Sequence, residues 1–129
     1  MRVLVCGGRS YADKAKVYNT LDALCEQRGM KGDEDACGNW MPKDIRIIHG
    51  GATGADALAD DWAVVNWVPV DEFKADWARD GKAAGPLRNQ RMLVDGRPDL
   101  VVAFPGGRGT ADMVRRARAA GVEVIEIER

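Results

Sequence analysis

Three short apolar runs in this chain each break off into paired glycines. Residues 2–6 (RVLVC) run into Gly7-Gly8. Residues 45–48 (IRII) pass through His49 into Gly50-Gly51, and 100–104 (LVVAF) pass through Pro105 into Gly106-Gly107. Each run is rich in β-branched residues or leucine with little polar alternation, the pattern of a parallel strand covered on both faces. The closing run 122–127 (VEVIEI) alternates strictly, as a half-exposed edge strand does. Helical periodicity fills the intervals. Val17, Leu21, Leu24 and Cys25 share one face of a helix ending near Gly29, and Ala55, Leu58, Trp62 and Val65 repeat that stripe. Pro86 is placed to open a helix reaching Val94, and Met113, Val114, Ala117 and Ala120 form a last stripe stopped by Gly121. The polar, glycine-bearing stretch 30–43 falls outside the alternation and reads as a surface insertion.

Strands alternating with helices predict an α/β fold: a Rossmann-like three-layer sandwich with an open, mostly parallel sheet of about five strands and helices on both faces. In such sheets ligands bind beyond the carboxyl ends of the strands, near the switch in strand order. All three glycine pairs fall at such ends, which locates the candidate site better than any single motif.

At 129 residues the chain is expected to form a single domain, 1–129, with a core that needs no disulfides. Its 46% hydrophobic and 30% charged residues describe an ordinary globular composition. A formal charge of −1 supplies no overall attraction to nucleic acid or anionic lipid, so any basic site has to be local. Cys6, Cys25 and Cys37 cannot all pair and lack zinc spacing; Cys6 on a strand run and Cys25 on a helix stripe read as buried thiols, in a reducing, cytoplasmic setting. No apolar run is long enough to span a bilayer, and the chain opens into a strand rather than a signal peptide. No metal site is expected, because the one histidine has no companion ligand at metal spacing.

The glycines free the backbone to turn sharply and approach a ligand with no Cβ in the way. Helix N-termini follow near 52–56 and 109–112, and their free N–H groups favour an anion. Neither loop is the lysine-bearing P-loop or a GxGxxG fingerprint. Arg9, Arg108, Lys82, Arg88 and Arg91 lie nearby as phosphate partners, with a solvated basic surface as the plainer alternative. Asp56 either caps its helix or accepts hydrogen bonds from ribose hydroxyls. His49 reads as structural rather than as a general base, and Trp62 as core. Trp77, in a loop-like context, is the better candidate for stacking a base.

Four blocks carry a resemblance: "CGGRSY", "IHGGATGAD", "ADWARDGKAAGPLRNQRM" and "AFPGGRGTADM", in that order. Together they resemble the small bacterial and phage, YspA-like and YpsA-related branch of the SLOG superfamily, Rossmann-like proteins named for kinship with DprA and LOG. The LOG enzymes, often called lysine decarboxylases, hydrolyse the N-glycosidic bond of nucleoside 5′-monophosphates and carry PGGxGTxxE with an upstream Arg-Lys pair. Pro105, Gly106, Gly107, Gly109 and Thr110 match the phosphate-binding part, and Arg88 matches the arginine. Asn89 stands where the lysine would be, and Met113 stands at the catalytic glutamate. A thioether cannot position water or stabilise an oxocarbenium-like transition state. Asp112, one residue away and turned by about 100° on a helix, is expected to point elsewhere.

The resemblance therefore implies a nucleotide-binding or nucleotide-sensing domain. Its phosphate site is expected at 105–110 (Pro105, Gly106, Gly107, Arg108, Gly109, Thr110). Gly7, Gly8, Arg9, Gly50, Gly51, Thr53, Gly54, Asp56, Arg88 and Asn89 are expected to complete it. No catalytic residue is assigned; Asp56 and Arg88 are the candidates. The alternative is an N-glycosidic hydrolase whose carboxylate comes from Asp56, Asp76 or Asp80. No cofactor is implied. The expected partners are a nucleotide-derived small molecule and further copies of the chain, with the exposed tryptophans as contact residues. A nucleic-acid handler is disfavoured by the near-neutral charge.

Overall fold

A strand buried on both faces has to lie inside a sheet, and the first apolar run takes the most interior place. In the computed structural model, which describes residues 1–128, β1 (Arg2–Cys6) is flanked by β4 (Arg46–His49) and β6 (Leu100–Ala103). Outside these lie β5 (Val70–Glu72) and β7 (Glu123–Glu126), giving a five-stranded sheet ordered β5-β4-β1-β6-β7. Every pairing is parallel; Val3 is in register with Ile47 on one side and with Leu100 on the other. The fold is a Rossmann-like α/β sandwich.

Alternate strand residues supply two apolar layers. Val3, Val5, Ile47, Leu100 and Val102 pack against α1 (Lys14–Gln27) and α2 (Ala55–Val65). Leu4, Cys6, Ile48, Val101 and Ala103 pack against α4 (Ala84–Val94) and α5 (Arg108–Ala119). The chain moves outward from β1 through β4 to β5, then crosses back to β6 and β7 on the far side. The order therefore reverses at β1, and the three glycine-bearing loops sit side by side on adjacent strands.

Several elements differ from the sequence expectation for identifiable reasons. The stretch 30–43 folds into an antiparallel hairpin, β2 (Lys31–Glu34) with β3 (Trp40–Pro42). Its turn is tied by the Asp35 carboxylate, which accepts the N–H groups of Cys37 and Asn39 at 2.8 and 3.0 Å. Strand β5 has only three residues behind Pro69 and so gives no apolar run. The segment before Pro86 is not a plain loop: α3 (Trp77–Asp80) and a 3-10 turn (Gly81–Ala83) lead directly into α4 at Ala84. Pro86 still lies in the first turn of α4, where its missing N–H removes no helical hydrogen bond. Val65 leaves the predicted stripe and is exposed, while the small residues Ala59 and Ala63 let α2 approach the sheet. Cys6 and Cys25 are buried and Cys37 is exposed on the hairpin; all three are free. Among the described residues no helix is long and apolar enough to cross a membrane.

Trp62 anchors the α1–α2 layer. It is fully buried, and its indole N–H donates to Asp22 Oδ1 at 2.9 Å. Trp62→Ala is expected to cost about 3–5 kcal/mol of unfolding free energy, whereas Val65→Ala should stay within about 0.5 kcal/mol. Urea denaturation of the two variants beside wild type checks both; equal losses would mean that α2 faces the sheet differently.

Candidate functional site

The three strand-end loops are held together by backbone. The Gly8 N–H donates to the Pro105 carbonyl at 2.9 Å, which joins the loops after β1 and β6. The Gly8 carbonyl accepts from Ala55 at 3.2 Å, which joins the first loop to the start of α2. Gly54, at φ +74°, sits so close that a Cβ there would lie 2.1 Å from the Gly8 oxygen. The Thr53 hydroxyl donates to the Arg9 carbonyl at 2.9 Å. Glycine at 54 and threonine at 53 thus serve the joint between loops.

A cavity of about 840 Å³ opens beside this joint, a volume in the usual range for small-molecule sites. Of the predicted residues, Gly7, Gly8, Arg9, Asp56, Arg88, Asn89, Gly107, Arg108, Gly109 and Thr110 line it. Gly50, Gly51, Thr53, Gly54, Pro105 and Gly106 do not; they shape the loops behind the wall. Gly50 leaves room for Arg88, whose Nη1 would be 2.3 Å from a Cβ there, and Gly106 leaves room for the Thr110 side chain. Lys82 and Trp77 also reach the wall, but Arg91 does not; its Nη2 donates to the Lys74 carbonyl at 2.7 Å.

Asp56 is 5% exposed and sits at the bottom of the cavity. Its Oδ2 accepts the N–H groups of Gly50 and Ala52 at 3.0 and 3.2 Å, while Oδ1 accepts none among the described residues. Burial raises its carboxyl above the usual range; the Ala52 N–H, His49 and Arg88 oppose that rise. Arg88 donates through Nη1 to the Gly50 carbonyl at 2.6 Å and through Nε to Asn89 Oδ1 at 3.1 Å. Burial lowers the Arg88 guanidinium, with Asp56 acting against it. Asn89, 3% exposed, donates from Nδ2 to the Gly109 carbonyl and to Asp112 Oδ2 at 3.2 and 2.9 Å. One chain of contacts therefore runs from α5 through Asn89 and Arg88 to Gly50 and Asp56.

Asp112 corrects the sequence expectation. Helix α5 begins at Arg108 with Gly107 as its N-cap, earlier than the expected start at 109. The packing of α5 on the sheet and on α4 places Asp112 on the cavity wall and Met113 fully inside the core. The Asp112 carboxylate is engaged by Asn89, Arg115 and Arg116, and these partners hold it below the usual range against its partial burial. Asp76 and Asp80 do not line the cavity. Asp76 caps α3 by accepting the Arg79 N–H, and Asp80 pairs with Arg79.

His49 is away from the cavity: its Nδ1 accepts the Gly51 N–H at 3.0 Å and its Nε2 meets Asp60 Oδ1 at 2.8 Å. Cys6 does line the cavity, but burial pushes its thiol up to about 12, which disfavours the thiolate. No cluster of metal-ligating side chains occurs among the described residues. Met92 and Asp112 are not readable as wall residues from the sequence, because the packing of α4 on α5 brings them there, whereas Cys6 reaches the wall as the last residue of β1.

The fold is that of a Rossmann-like protein, with a cavity at the topological switch. Residues 1–79 match the YspA, cpYpsA-related SLOG family, YAcAr. The chain is 37% identical over 134 residues to the Gene 61 protein of Mycobacterium phage D29, covering 96% of this chain and 94% of that one. Its fold is similar to that of DNA processing protein A (DprA) from Streptococcus pneumoniae, with a TM-score of 0.68 at 16% identity. That likeness covers 99% of this chain but 50% of the DprA chain. The chain belongs to the YspA, cpYpsA-related SLOG family.

The raised Asp56 carboxyl carries a pH dependence. Its folded form holds a proton that the unfolded chain has already released, so between the ordinary carboxylate range and the raised value the native state binds more protons. Stability contributed by this residue is therefore present at low pH and lost as pH rises through that window. Asp56→Asn, which keeps an acceptor for Gly50 and Ala52, should remove that fall. Urea midpoints of wild type and variant from pH 4 to 7 should converge at the acid end and separate toward neutrality, with the variant the more stable; parallel curves would contradict it.

Proposed function

We propose that this protein binds a nucleotide or nucleotide-derived ligand, its phosphate held by the start of α5 and its ribose by Asp56. The observation that carries this reading is the glycine in the first turn of that helix, Gly109. A Cβ on Gly107 or Gly109 would meet nothing within 4 Å, and neither residue is at positive φ. Gly107 is the N-cap, a position that favours glycine on its own account, but Gly109 lies inside the helix, where glycine is unfavourable and the surrounding fold has no steric use for it. A ligand lying against the backbone supplies the missing reason, and free N–H groups at a helix start suit an anion.

Charge supports the same reading. Among the described residues Arg9, Lys82 and Arg108 pair with no carboxylate, although all three line the cavity. The free Oδ1 of Asp56 is an acceptor in a cationic cavity, the combination that a ribose phosphate needs. A second reading, N-glycosidic hydrolysis, is favoured by one observation: two carboxylates, Asp56 and Asp112, stand on the wall. Asp112 is already held by three side chains, which fits a fixed wall better than a group that must exchange protons.

A thermal-shift screen of nucleoside mono- and diphosphates, dinucleotides and ADP-ribose tests the reading, with every hit checked for turnover. At one hundred times the dissociation constant a ligand adds about 2.7 kcal/mol, a rise of several degrees in Tm. A hit recovered intact supports binding, free base and sugar phosphate support hydrolysis, and an unmoved Tm across the panel overturns both. Gly109→Ala separates the ligand's needs from the fold's: it should raise stability by up to about 1 kcal/mol while weakening the hit at least tenfold. Unchanged affinity would remove the backbone cradle.

A further inference from the structure

One wall of the cavity is aromatic, and the phosphate and ribose contacts leave it unused. Trp77 opens α3, where the Asp76 side chain accepts the Arg79 N–H and the Gly81 N–H closes on the Trp77 carbonyl. This single turn fixes the backbone from which the indole projects. The ring packs against α4 at Gly85, where a Cβ would come within 3.3 Å of the indole Cη2. Gly85 is buried in a helix that gains nothing in propensity from glycine, so its role here is to seat the ring. The outer face of the indole is not covered by core: Trp77 is 48% exposed and lines the cavity.

Over that ring stands Arg9, from the loop after β1, with its guanidinium carbon 5.1 Å from the ring centroid. Arg9 makes no ion pair among the described residues, so its orientation depends on the indole and on the Thr53 tie to its own carbonyl. The two side chains come from different loops on the wall of one cavity. An indole and a guanidinium are both planar groups that stack on heteroaromatic rings.

We propose that Trp77 and Arg9 form a clip for the nucleobase, the base stacking on the Trp77 indole with the Arg9 guanidinium closing on it. This rests on the nucleotide reading of the cavity and adds to it where the base goes and which residues sense it. The free protein holds the clip shut through its internal cation–π contact, and the ligand's base replaces that contact with a larger stacked surface. The clip selects for a heteroaromatic base and ignores sugar phosphates that lack one.

Isothermal titration with the four nucleoside 5′-monophosphates and with ribose 5-phosphate, on wild type, Trp77→Ala, Trp77→Phe and Arg9→Ala, tests this. Trp77→Ala should weaken the best-bound monophosphate about tenfold and leave ribose 5-phosphate unchanged. Trp77→Phe should restore most of the loss, and Arg9→Ala should fall between. The exposed, one-turn position of Trp77 makes these variants safe for folding, and their thermal melts check it. A monophosphate that binds Trp77→Ala as tightly as wild type overturns the clip and leaves the nucleotide reading standing. Equal losses for monophosphate and ribose 5-phosphate also overturn it, by making Trp77 a support of the phosphate end. Failure of all four monophosphates to bind wild type overturns the clip for these ligands, and the wider screen then decides the nucleotide reading separately.

Discussion

The site rests on one backbone joint, the Gly8 peptide. Its N–H and carbonyl bind in opposite directions, to Pro105 after β6 and to Ala55 at the start of α2. Three strand ends are thereby fixed to one another without any side chain, and the cavity takes its shape from their spacing. The joint tolerates no Cβ at Gly54 and little at Gly7, where a Cβ would lie 2.6 Å from that of Ala55. Two of the three glycine pairs include residues that belong to this joint: Gly7 and Gly8 in the first, and Gly106, where a Cβ would lie 2.7 Å from the Gly8 nitrogen, in the third. The third also contributes Gly107, which together with Gly109 is not needed by it.

That division explains what the sequence made legible. The sheet was readable because β1, β4 and β6 are buried on both faces, which writes continuous apolar runs, and because the edge strand β7 alternates. The location of the site was readable because the glycine pairs mark strand ends. The division of labour among glycines was not: whether a glycine serves a neighbouring loop or faces open space depends on contacts between residues far apart in the chain. Gly8 and Pro105 are an example, as are Gly50 and Arg88. Strand β5 escaped because three residues at an edge behind a proline carry no period. The hairpin at 30–43 escaped because its turn is set by the Asp35 carboxylate rather than by hydrophobic alternation.

The facing of α5 shows how one residue of helix phase changes a chemical argument. The sequence reads Met113 both as part of an apolar helix stripe and as the occupant of the position where the resemblance implies a catalytic carboxylate. In the structure Met113 belongs to the core against Leu4, Ile48 and Val101, and Asp112 stands on the wall. The contrast between thioether and carboxylate at position 113 is therefore a contrast in packing as much as in chemistry. What matters for reactivity is the state of Asp112, and Asn89, Arg115 and Arg116 keep it ionised and fixed. Asn89 is central to that state, since the same side chain also orients Arg88 and binds the first turn of α5.

The electrostatics of the cavity follow from the same network. A protein of net charge −1 has no general affinity for anions, so attraction has to come from how its charges are distributed. Both wall carboxylates are offset by the chain's own cations: Asp56 faces Arg88, and Asp112 is bound by Arg115 and Arg116. Among the described residues Arg9, Lys82 and Arg108 pair with no carboxylate, and all three line the cavity, where charge is screened less than at the open surface. The near-neutral chain and the cationic cavity are thus compatible. The neutral total offers no basic face of many contacts of the kind that long nucleic acids need, and the uncompensated cations are gathered on the wall of one cavity rather than spread over a surface.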